Sequence, residues 1–581
     1  MQTSQIYTEV PTTDWDLEIL ETENRARGRR LSEDTLLARS NSNARDQEIL
    51  PGYRPNRQSY RSRIIRCLTR LGSIPRGSGV LDSVRQNLID FLIFLIPSFV
   101  CSWFAGTSTK ATSSPTAWLD GLRGLACVAV VIHHYAYGYS KTLHRPYDGE
   151  ENTNWLQLPI IKLIHHGPPM VKIFYIISGF ALTVKAVRLT RIPSTTTLDG
   201  SALIFNLSSS IWKRFLRLFL PCAAGFLLCC FMASAGLFEV YPVDTHPKWI
   251  TGWIERRPPM QSSLWAQLVY TFWDFYAFAF EVTFFGASDS LYNTDIHLWT
   301  IPIEFRCSLQ LFLIVAGGCL LRRWLRKLLL PILCAFLLYN NVWGLSLFAF
   351  GYFLGELHSD RVAAAPSPLP ANTDTMVNEK PERFNRLKNI LRRVLLAAMV
   401  ITGLYLASYP RGMMVSKKNQ KTTGFQFLVP LTPPKYPIGG VNTRYDHTND
   451  FWQSIGSILI AWALMYMPRA QRLFLCNSPV QYFGKISFAL YVMHGHVHRS
   501  LGYWVVLTGS RLMGIVRWNS KTGQWDLIPD RGQTHSAIVV IGWVLVTFPV
   551  TIWWADVFWR GVDMQSVRFL RWLESKITMK K

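Results

Sequence analysis

Residues 118–135, with the sequence WLDGLRGLACVAVVIHHY, form a mostly apolar stretch that carries Asp120, Arg123, His133 and His134. Ionisable groups are costly to hold in a membrane span, so their presence there indicates function. Each residue of an α-helix turns by about 100°, so Arg123 and His134 lie within about 20° of each other. His133 points about 80° away from Arg123. Asp120 lies about 60° from Arg123, so one helix face holds an acid, a guanidinium and an imidazole.

An imidazole on that face can act as a general base, because its ordinary pKa, near 6.5, is close to working pH. Arg123 and His134 are about 16 Å apart along the helix axis, so they cannot touch. They are expected to line one groove through most of a bilayer. Each residue alone also has a structural interpretation, in which it extends to the nearer membrane interface. The shared face favours the functional interpretation.

The composition indicates a polytopic membrane protein as the scaffold for this helix. Of the 581 residues, 49% are hydrophobic and only 17% are charged, whereas a soluble domain carries about 25%. The net charge is +24, but the basic residues lie beside apolar runs, as in cytoplasmic membrane loops. No nucleic-acid motif accompanies them, so we expect no nucleic-acid partner. The ten cysteines show no metal-ligand spacing and are expected to be buried small side chains.

Three segments outside the apolar spans have their own character. Residues 1–86 are polar and rich in Arg, which predicts a disordered cytoplasmic tail. Residues 87–104 are apolar but contain Asp90 and Pro97 and are short for a crossing, which predicts an interfacial or re-entrant helix. Residues 561–581 are expected to form a basic C-terminal tail.

The predicted fold is an all-α transmembrane bundle of about ten spans. The candidate spans are residues 118–137, 169–187, 214–236, 298–320, 328–340, 342–357, 391–408, 452–467, 485–507 and 536–559. The split of residues 328–357 into two spans rests on a turn at Asn340 and Asn341. One long crossing is the alternative, and it would reverse the topology after it. The Lys and Arg distribution predicts a cytoplasmic N-terminus, with residues 138–168 and 238–297 outside.

Four further motifs follow the first one in sequence. They are FYIISGFALT with Ser178, KRFLRLFLP with Arg214 and Arg217, LWTIPIEFRCSL with Glu304, and GKISFALYVMHGHV with Tyr491 and His494. Together with LDGLRGLACVAVVIHH they resemble the acyltransferase 3 family of integral-membrane acyl-CoA O-acyltransferases, over about residues 115–560. Bacterial members commonly have a second acid directly after the one at Glu304. This chain has Phe305 there, which is closer to a fungal branch.

The resemblance implies roles for the matched residues. His134 is expected to be essential to acyl transfer together with Arg123, and Glu304 is expected to orient the imidazole or to bind the acceptor hydroxyl. Arg214 and Arg217 are expected to bind the phosphates of a cytoplasmic acyl-CoA, for which guanidinium groups are well suited. Positive-inside anchoring is the other interpretation of this arginine pair.

Four more residues are expected to support the reaction: Asp120, Ser178, Tyr491 and His494. Asp120 lies on the shared face and either holds Arg123 in place or takes part in binding. His494, His496 and His498 alternate along the chain and point in different directions on a helix, so no metal site is expected there.

The sequence therefore predicts an enzyme that moves an acyl group, acetyl in first place, from acyl-CoA to a hydroxyl of a glycan, lipid or secondary metabolite. His134 is expected to deprotonate the acceptor, and a covalent acyl-histidine is the alternative mechanism. Acyl-CoA is a co-substrate, and no bound cofactor is expected. The expected partners are the lipid bilayer and a small-molecule or glycan acceptor. The alternative function is a transporter or channel in which the same residues form a solute or proton path.

Overall fold

The computed structural model describes most of the chain after residue 79. The described residues are 80–100, 114–140, 142–143, 146–150, 152–191, 200–241, 247–286, 292–364, 383–410, 424–436 and 448–577. Contacts divide the chain into two units, with the boundary after Ala117. The predicted tail lies outside the described residues up to residue 79, and residues 80–86 belong to a helix, which corrects the boundary of that tail.

Helices dominate the described residues. The first eight are α1 (Val80–Leu95), α2 (Ala117–Tyr139), α3 (Gly167–Leu189), α4 (Gly200–Ser234), α5 (Leu264–Tyr276), α6 (Thr300–Gly318), α7 (Arg323–Tyr339) and α8 (Trp343–Ala364). The next seven are α9 (Arg383–Ala407), α10 (Thr448–Met465), α11 (Ser478–Val497), α12 (Tyr503–Leu512), α13 (Gly532–Gly542), α14 (Phe548–Phe558) and α15 (Met564–Ile577). Short π-helical turns connect α11 to α12, α13 to α14, and α14 to α15.

Five helical stretches of the described residues are long and apolar enough to cross a membrane. They are Gly167–Leu189, Gly200–Ser234, Ile296–Gly318, Arg386–Ala407 and Gly532–Ile577. The other predicted spans also overlap helices, but the total of about ten crossings stays a prediction.

Three features differ from the sequence-based expectations. Strands β1 (Val516–Asn519) and β2 (Gln524–Leu527) pair as an antiparallel hairpin between α12 and α13, so the all-α prediction is incomplete. Residues 264–285, predicted as part of an outer segment, form α5 and its π-helical continuation. The expected C-terminal tail is helical as far as Ile577, because α15 continues the helix that precedes it.

The predicted turn between two short helices is confirmed at Asn340 and Asn341. Asn341 has φ = 61°, in the left-handed region that asparagine tolerates better than most residues. The chain then begins α8, which packs against α7. Ser346 Oγ donates a hydrogen bond to the carbonyl of Cys334 at 2.8 Å, which links the two helices.

Helices α2 and α11 lie side by side in the same direction and position the candidate site. A Cβ atom on Gly124 would lie 2.4 Å from the backbone nitrogen of Gly484, so the helices approach as closely as glycine allows. Three residues further along both helices, Cys127 Sγ donates to the carbonyl of Ser487 at 3.1 Å. His134 and His494 each follow their glycine by ten residues.

Candidate active site

His134, His297 and His494 form a cluster of three imidazoles. Their ring centroids are 4.4 Å apart for His134 and His297, 5.1 Å for His134 and His494, and 4.7 Å for His297 and His494. They come from α2, from the 3-10 turn before α6, and from α11. His297 and His494 are fully buried, whereas the His134 side chain is 24% exposed. His134 is therefore the most exposed member of the cluster.

Glu255 fixes the orientation of His134. Its Oε1 atom lies 2.8 Å from Nδ1 of His134, and its Oε2 atom lies 2.9 Å from Nε2 of His297. A carboxylate only accepts hydrogen bonds, so Nδ1 of His134 carries the hydrogen and Nε2 keeps its lone pair. The sequence-based site lacked this carboxylate.

The segment that carries Glu255 is attached to the end of α2. The backbone N–H groups of Gly252 and Trp253 donate to the carbonyls of Gly138 and Tyr137 at 3.1 and 2.9 Å. These carbonyls belong to the last turn of the helix, where they have no intrahelical partner. A Cβ atom on Gly252 would lie 2.0 Å from the Tyr137 oxygen, so only glycine fits. Capping α2 in this way brings Glu255 over His134, one turn further back.

His297 joins two buried carboxylates. Its Nδ1 lies 2.8 Å from Oδ1 of Asp295, and its Nε2 contacts Glu255. Both ring nitrogens therefore donate, which makes the ring an imidazolium. Arg499 is fully buried and donates to Asp295 Oδ1 at 3.3 Å and to three backbone carbonyls. Two cations thus balance two carboxylates in a place where unpaired charge is costly.

Both carboxylates are held in their ionised form. Burial alone raises the pKa of Glu255, but the charge and hydrogen bonds of His297 and His134 outweigh it and lower that pKa well below its usual value. For Asp295, burial likewise raises the pKa, while the His297 hydrogen bond and the Arg499 charge lower it overall. Glu255 therefore remains an acceptor for His134 throughout the neutral pH range.

His494 presents one free nitrogen to the cluster. Its Nδ1 donates to the backbone carbonyl of Tyr491 at 2.7 Å. Its Nε2 is buried and finds no hydrogen-bond partner among the described residues. The hydroxyl of Tyr491 donates to the backbone carbonyl of His297 and lies 2.7 Å from Oγ1 of Thr300. Tyr491 thus fastens α11 to the beginning of α6, and its support of the reaction stays a prediction.

Asp120 and Arg123 form a pair at the opposite end of α2. Asp120 Oδ1 lies 3.2 Å from the Arg123 guanidinium, which also donates to the carbonyl of Gly484 at 2.7 Å. Of the two roles left open for Asp120, the structure favours holding Arg123. The ring of His133 points away from the helix face that carries Asp120, Arg123 and His134. Its Nδ1 lies 3.0 Å from the His165 carbonyl, and its ring packs against Gly167.

The structure places Glu304 away from the imidazole of His134, and its other expected role, binding of the acceptor hydroxyl, stays a prediction. Its Oε1 atom lies 2.5 Å from the Arg214 guanidinium and accepts a hydrogen bond from Ser178 at 2.8 Å. Glu304 follows His297 by seven residues, which is about 10 Å along a helix. The imidazole is held instead by Glu255. Ser178 acts on Glu304, on the face of α6 that meets α3 and α4.

The two predicted phosphate-binding arginines each have a carboxylate partner. Arg214 pairs with Glu304 and also donates to Ser308 Oγ at 3.0 Å. Arg217 lies 2.6 Å from Asp563 Oδ1 and is 33% exposed. The Arg214 guanidinium carries five N–H donors, and its contacts with Glu304 and Ser308 use two of them. Phosphate binding by the two residues stays a prediction.

The three imidazoles do not fit a metal ion as they stand. One nitrogen from each lies within 4.8 Å of the others. Both nitrogens of His297 are already occupied by carboxylates, which leaves only the Nε2 atoms of His134 and His494. Protein zinc sites have at least three protein ligands. His496 on α11 contacts the Gly225 carbonyl, whereas His498, in the π-helical turn that follows, lies 3.7 Å from Oε2 of Glu255 and therefore points toward the cluster, as His494 does.

Comparison with known proteins identifies the family. The family model for an acyltransferase domain, acyltransferase 3, matches residues 116–560. The chain belongs to this acyltransferase family. The five long apolar helical stretches among the described residues agree with an integral membrane protein. The matched region contains every residue of the imidazole cluster and its carboxylates.

Three fungal relatives are similar over most of their length. O-acetyltransferase PaAT-1 of Phomopsis amygdali is 27% identical over 477 residues, which cover 80% of this chain and 85% of the relative. Acyltransferase clz18 of Cochliobolus lunatus is 28% identical over 412 residues, covering 65% and 82%. Acyltransferase R4 of a Phoma species is 26% identical over 418 residues, covering 66% and 82%. No solved structure matches the chain significantly.

Proposed function

We propose that this acyltransferase moves an acyl group, acetyl in first place, from acyl-CoA to a hydroxyl group of a glycan, lipid or secondary metabolite. The pairing of His134 with Glu255 carries the proposal. A partly exposed imidazole whose Nδ1 is held by a buried carboxylate is the arrangement that enzymes use to activate a hydroxyl. The name of the Phomopsis relative, an O-acetyltransferase, supports acetyl as the group and a hydroxyl as the acceptor.

The reaction begins with the acceptor hydroxyl hydrogen-bonded to Nε2 of His134. This nitrogen takes the proton while the oxygen attacks the thioester carbonyl carbon. The carbonyl then re-forms, the carbon–sulfur bond breaks, and the sulfur leaves and takes up a proton. Glu255 stabilises the imidazolium that forms in between, and it does so as a carboxylate because its pKa is lowered.

The donor is proposed to bind on the cytoplasmic side, at the end of α2 that carries Arg123. Arg214 and Arg217 on α4 supply further guanidinium groups, and both are partly exposed. The phosphates of CoA match the forked geometry of these donors. The acyl arm then extends along α2 toward His134, about 16 Å from Arg123. The acceptor approaches His134 from the outer side, where the backbone of Gly252 and Trp253 caps α2.

The decisive experiment measures transfer of label from radiolabelled acetyl-CoA by the purified protein. Metabolites extracted from a strain lacking the gene serve as the acceptor pool. His134→Ala is expected to abolish labelled product, because the base is lost. His133→Ala serves as the matched control, since that ring packs against α3 and takes no part in the chemistry.

Three outcomes contradict the proposal in different ways. Full turnover by His134→Ala removes the base from the mechanism. Loss of activity in His133→Ala but not in His134→Ala shows that the base is His133 and not His134. Solute or proton flux through proteoliposomes without consumption of acetyl-CoA identifies a transporter or channel instead of a transferase.

A further inference from the structure

Two imidazoles of the cluster present a free nitrogen, although a single-base mechanism uses only one. His134 has its Nδ1 on Glu255, and His494 has its Nδ1 on the Tyr491 carbonyl. In each ring this leaves Nε2 with a lone pair. The buried Nε2 of His494 has no partner among the described residues. A buried acceptor without a hydrogen bond costs about 1–3 kcal/mol, and this one belongs to a ring 5.1 Å from that of His134, where a water or a substrate hydroxyl can supply the missing bond.

The placement of His494 follows from the backbone. The helices α2 and α11 meet at Gly124 and Gly484 and remain in step through Cys127 and Ser487. This alignment puts His134 and His494 at the same height, with ring centroids 5.1 Å apart. Nitrogens of the two rings lie within 4.8 Å, a separation that one water or hydroxyl bridges with two hydrogen bonds.

We propose that His494 is a second catalytic imidazole, which passes to the leaving sulfur the proton that His134 takes from the acceptor. The inference rests on the proposed acyl transfer and names a further residue that performs it. A neutral imidazole with hydrogen on Nδ1 can accept a proton at Nε2. The Tyr491 carbonyl keeps that hydrogen in place and stabilises the imidazolium while it exists.

The proton and electron movements balance over three steps. The acceptor oxygen gives its proton to Nε2 of His134 and forms a bond to the carbonyl carbon, whose π electrons move to the carbonyl oxygen. The proton passes from Nε2 of His134 to Nε2 of His494 through one bridging water. The carbonyl re-forms, the carbon–sulfur bond breaks, and the sulfur takes the proton from His494. Both imidazoles end neutral, and the products are the ester and free CoA.

The cation at His297 favours onward transfer of the proton. Its ring lies 4.4 Å from His134 and 4.7 Å from His494, so a second positive charge on either ring is repelled. The proton therefore does not rest on the relay but moves to the thiolate as it forms. In this arrangement His134 takes the proton from the acceptor hydroxyl, and His494 gives a proton to the sulfur of the donor.

The test uses His494→Ala in the full-length protein, with acetyl-CoA and the same acceptor extract. We expect kcat to fall about 100-fold, as is typical for loss of a general acid–base group. The KM for acetyl-CoA is expected to stay within about 3-fold, because the residue does not bind the CoA phosphates. Added imidazole is expected to restore at least a tenth of the lost rate by occupying the vacated space. Pyrazole has the same shape but is a far weaker base, so it is expected to restore none.

His358→Ala is the matched control. His358 on α8 is also a buried imidazole whose Nε2 has no partner in the described part of the chain, and it packs against Phe180. Its removal is expected to leave kcat unchanged and insensitive to imidazole. Unchanged turnover in His494→Ala overturns the relay. So does a loss that imidazole and pyrazole restore equally, or that neither restores, since each assigns His494 to packing. If the unmodified protein does not consume acetyl-CoA, the proposed function itself fails.

Discussion

At the scale of single residues, Glu255 determines which nitrogen of His134 faces the substrate. In Glu255→Gln the amide oxygen can still accept from one imidazole, but the amide N–H group then faces the donating nitrogen of the other. One imidazole must therefore change tautomer or turn away. We expect kcat to fall by roughly 10²–10⁴-fold, as with loss of the carboxylate behind other catalytic histidines.

Steady-state kinetics with acetyl-CoA measure this effect, with Glu239→Gln as the control. Glu239 pairs with Arg257 near the surface, 34% exposed, so its loss is expected to change activity little. Equal activity of Glu255→Gln and the unmodified protein contradicts the assigned role. A fall in kcat with near-constant KM is the expected pattern, because Glu255 acts in the transition state more than in binding.

Lys162 gives a second residue-scale prediction, outside the imidazole cluster. Burial lowers its pKa from 10.5 to about 7, and no carboxylate in the described residues pairs with it. Below pH 7 the folded protein bears the full cost of this buried charge. From pH 7 toward pH 10 the unfolded chain binds more protons at Lys162 than the folded protein does, so stability from this residue rises with pH.

Lys162→Met is therefore expected to raise the thermal midpoint at pH 7 by roughly 3–8 °C. The gain is expected to shrink as the pH rises toward 10, because the folded lysine is then neutral and the pH approaches the pKa of the lysine in the unfolded chain, 10.5. Scanning fluorimetry of the detergent-solubilised proteins measures the thermal midpoints of the unmodified protein and of Lys162→Met from pH 7 to pH 10. Lys521→Met removes an exposed lysine and is expected to leave the thermal midpoint unchanged at each pH. A gain that is the same at every pH contradicts the buried-charge explanation.

At the scale of elements, the contact between α2 and α11 positions the chemistry. A Cβ atom on Gly484 would lie 2.3 Å from the Asp120 carbonyl oxygen, which is backbone and cannot yield as a flexible side chain does. Gly484→Ala is expected to push the helices apart, and the carbonyl of Gly484 then moves away from Arg123. We expect activity to fall at least about 10-fold, since displacements near 1 Å cost about 100-fold in well-aligned sites.

Gly317→Ala is the control for this element. Gly317 lies within α6, and a Cβ atom there meets nothing within 4 Å. Alanine is favoured over glycine in a helix by about 1 kcal/mol, so this variant is expected to keep its activity and to lose no stability. Kinetics and thermal midpoints of both variants test the prediction. Full activity of Gly484→Ala shows that the close approach does not position the site.

Sequence patterns predict the helices better than they predict the cluster. The helical period places Arg123 and His134 on one face, and the structure puts His134, not His133, among the other imidazoles. Glu255 is 121 residues from His134 and lies in a segment without helical period, so no local pattern connects them. Asp295 and His297 lie just before the Glu304 motif, where an Asp-x-His pair at a membrane edge is a signal that sequence reasoning can use.

At the scale of the whole molecule, the site lies where segments far apart in sequence meet. Helix α2, the capping segment with Glu255, the turn before α6, and α11 each supply one part of it. Arg123 lies toward the other end of α2, and α4 carries the pair Arg214 and Arg217. This separation of the base from the cationic end is what a transfer between a cytoplasmic donor and an outer acceptor requires. It also explains why no single span contains the complete site.

The separation predicts that the donor is used from one membrane face only. The loop between α6 and α7 leads into a basic first part of α7, which contains Arg323, Arg326 and Lys327, so the positive-inside rule predicts that this loop lies on the cytoplasmic side. In proteoliposomes, acetyl-CoA cannot cross the bilayer. Turnover from external acetyl-CoA is therefore expected to scale with the fraction of molecules that expose this loop, measured by labelling Cys319 with an impermeant maleimide.

Variants with less positive charge near this loop extend this test. Replacing Arg322 and Arg323 by neutral residues weakens the positive-inside signal and is expected to increase the fraction of inverted molecules. External turnover is expected to fall in proportion to that fraction, while turnover after detergent lysis stays the same. The control is the unmodified protein reconstituted in parallel, with both faces made accessible. Turnover that is independent of Cys319 accessibility contradicts a one-sided donor site, and with it the groove that is proposed to connect Arg123 to His134.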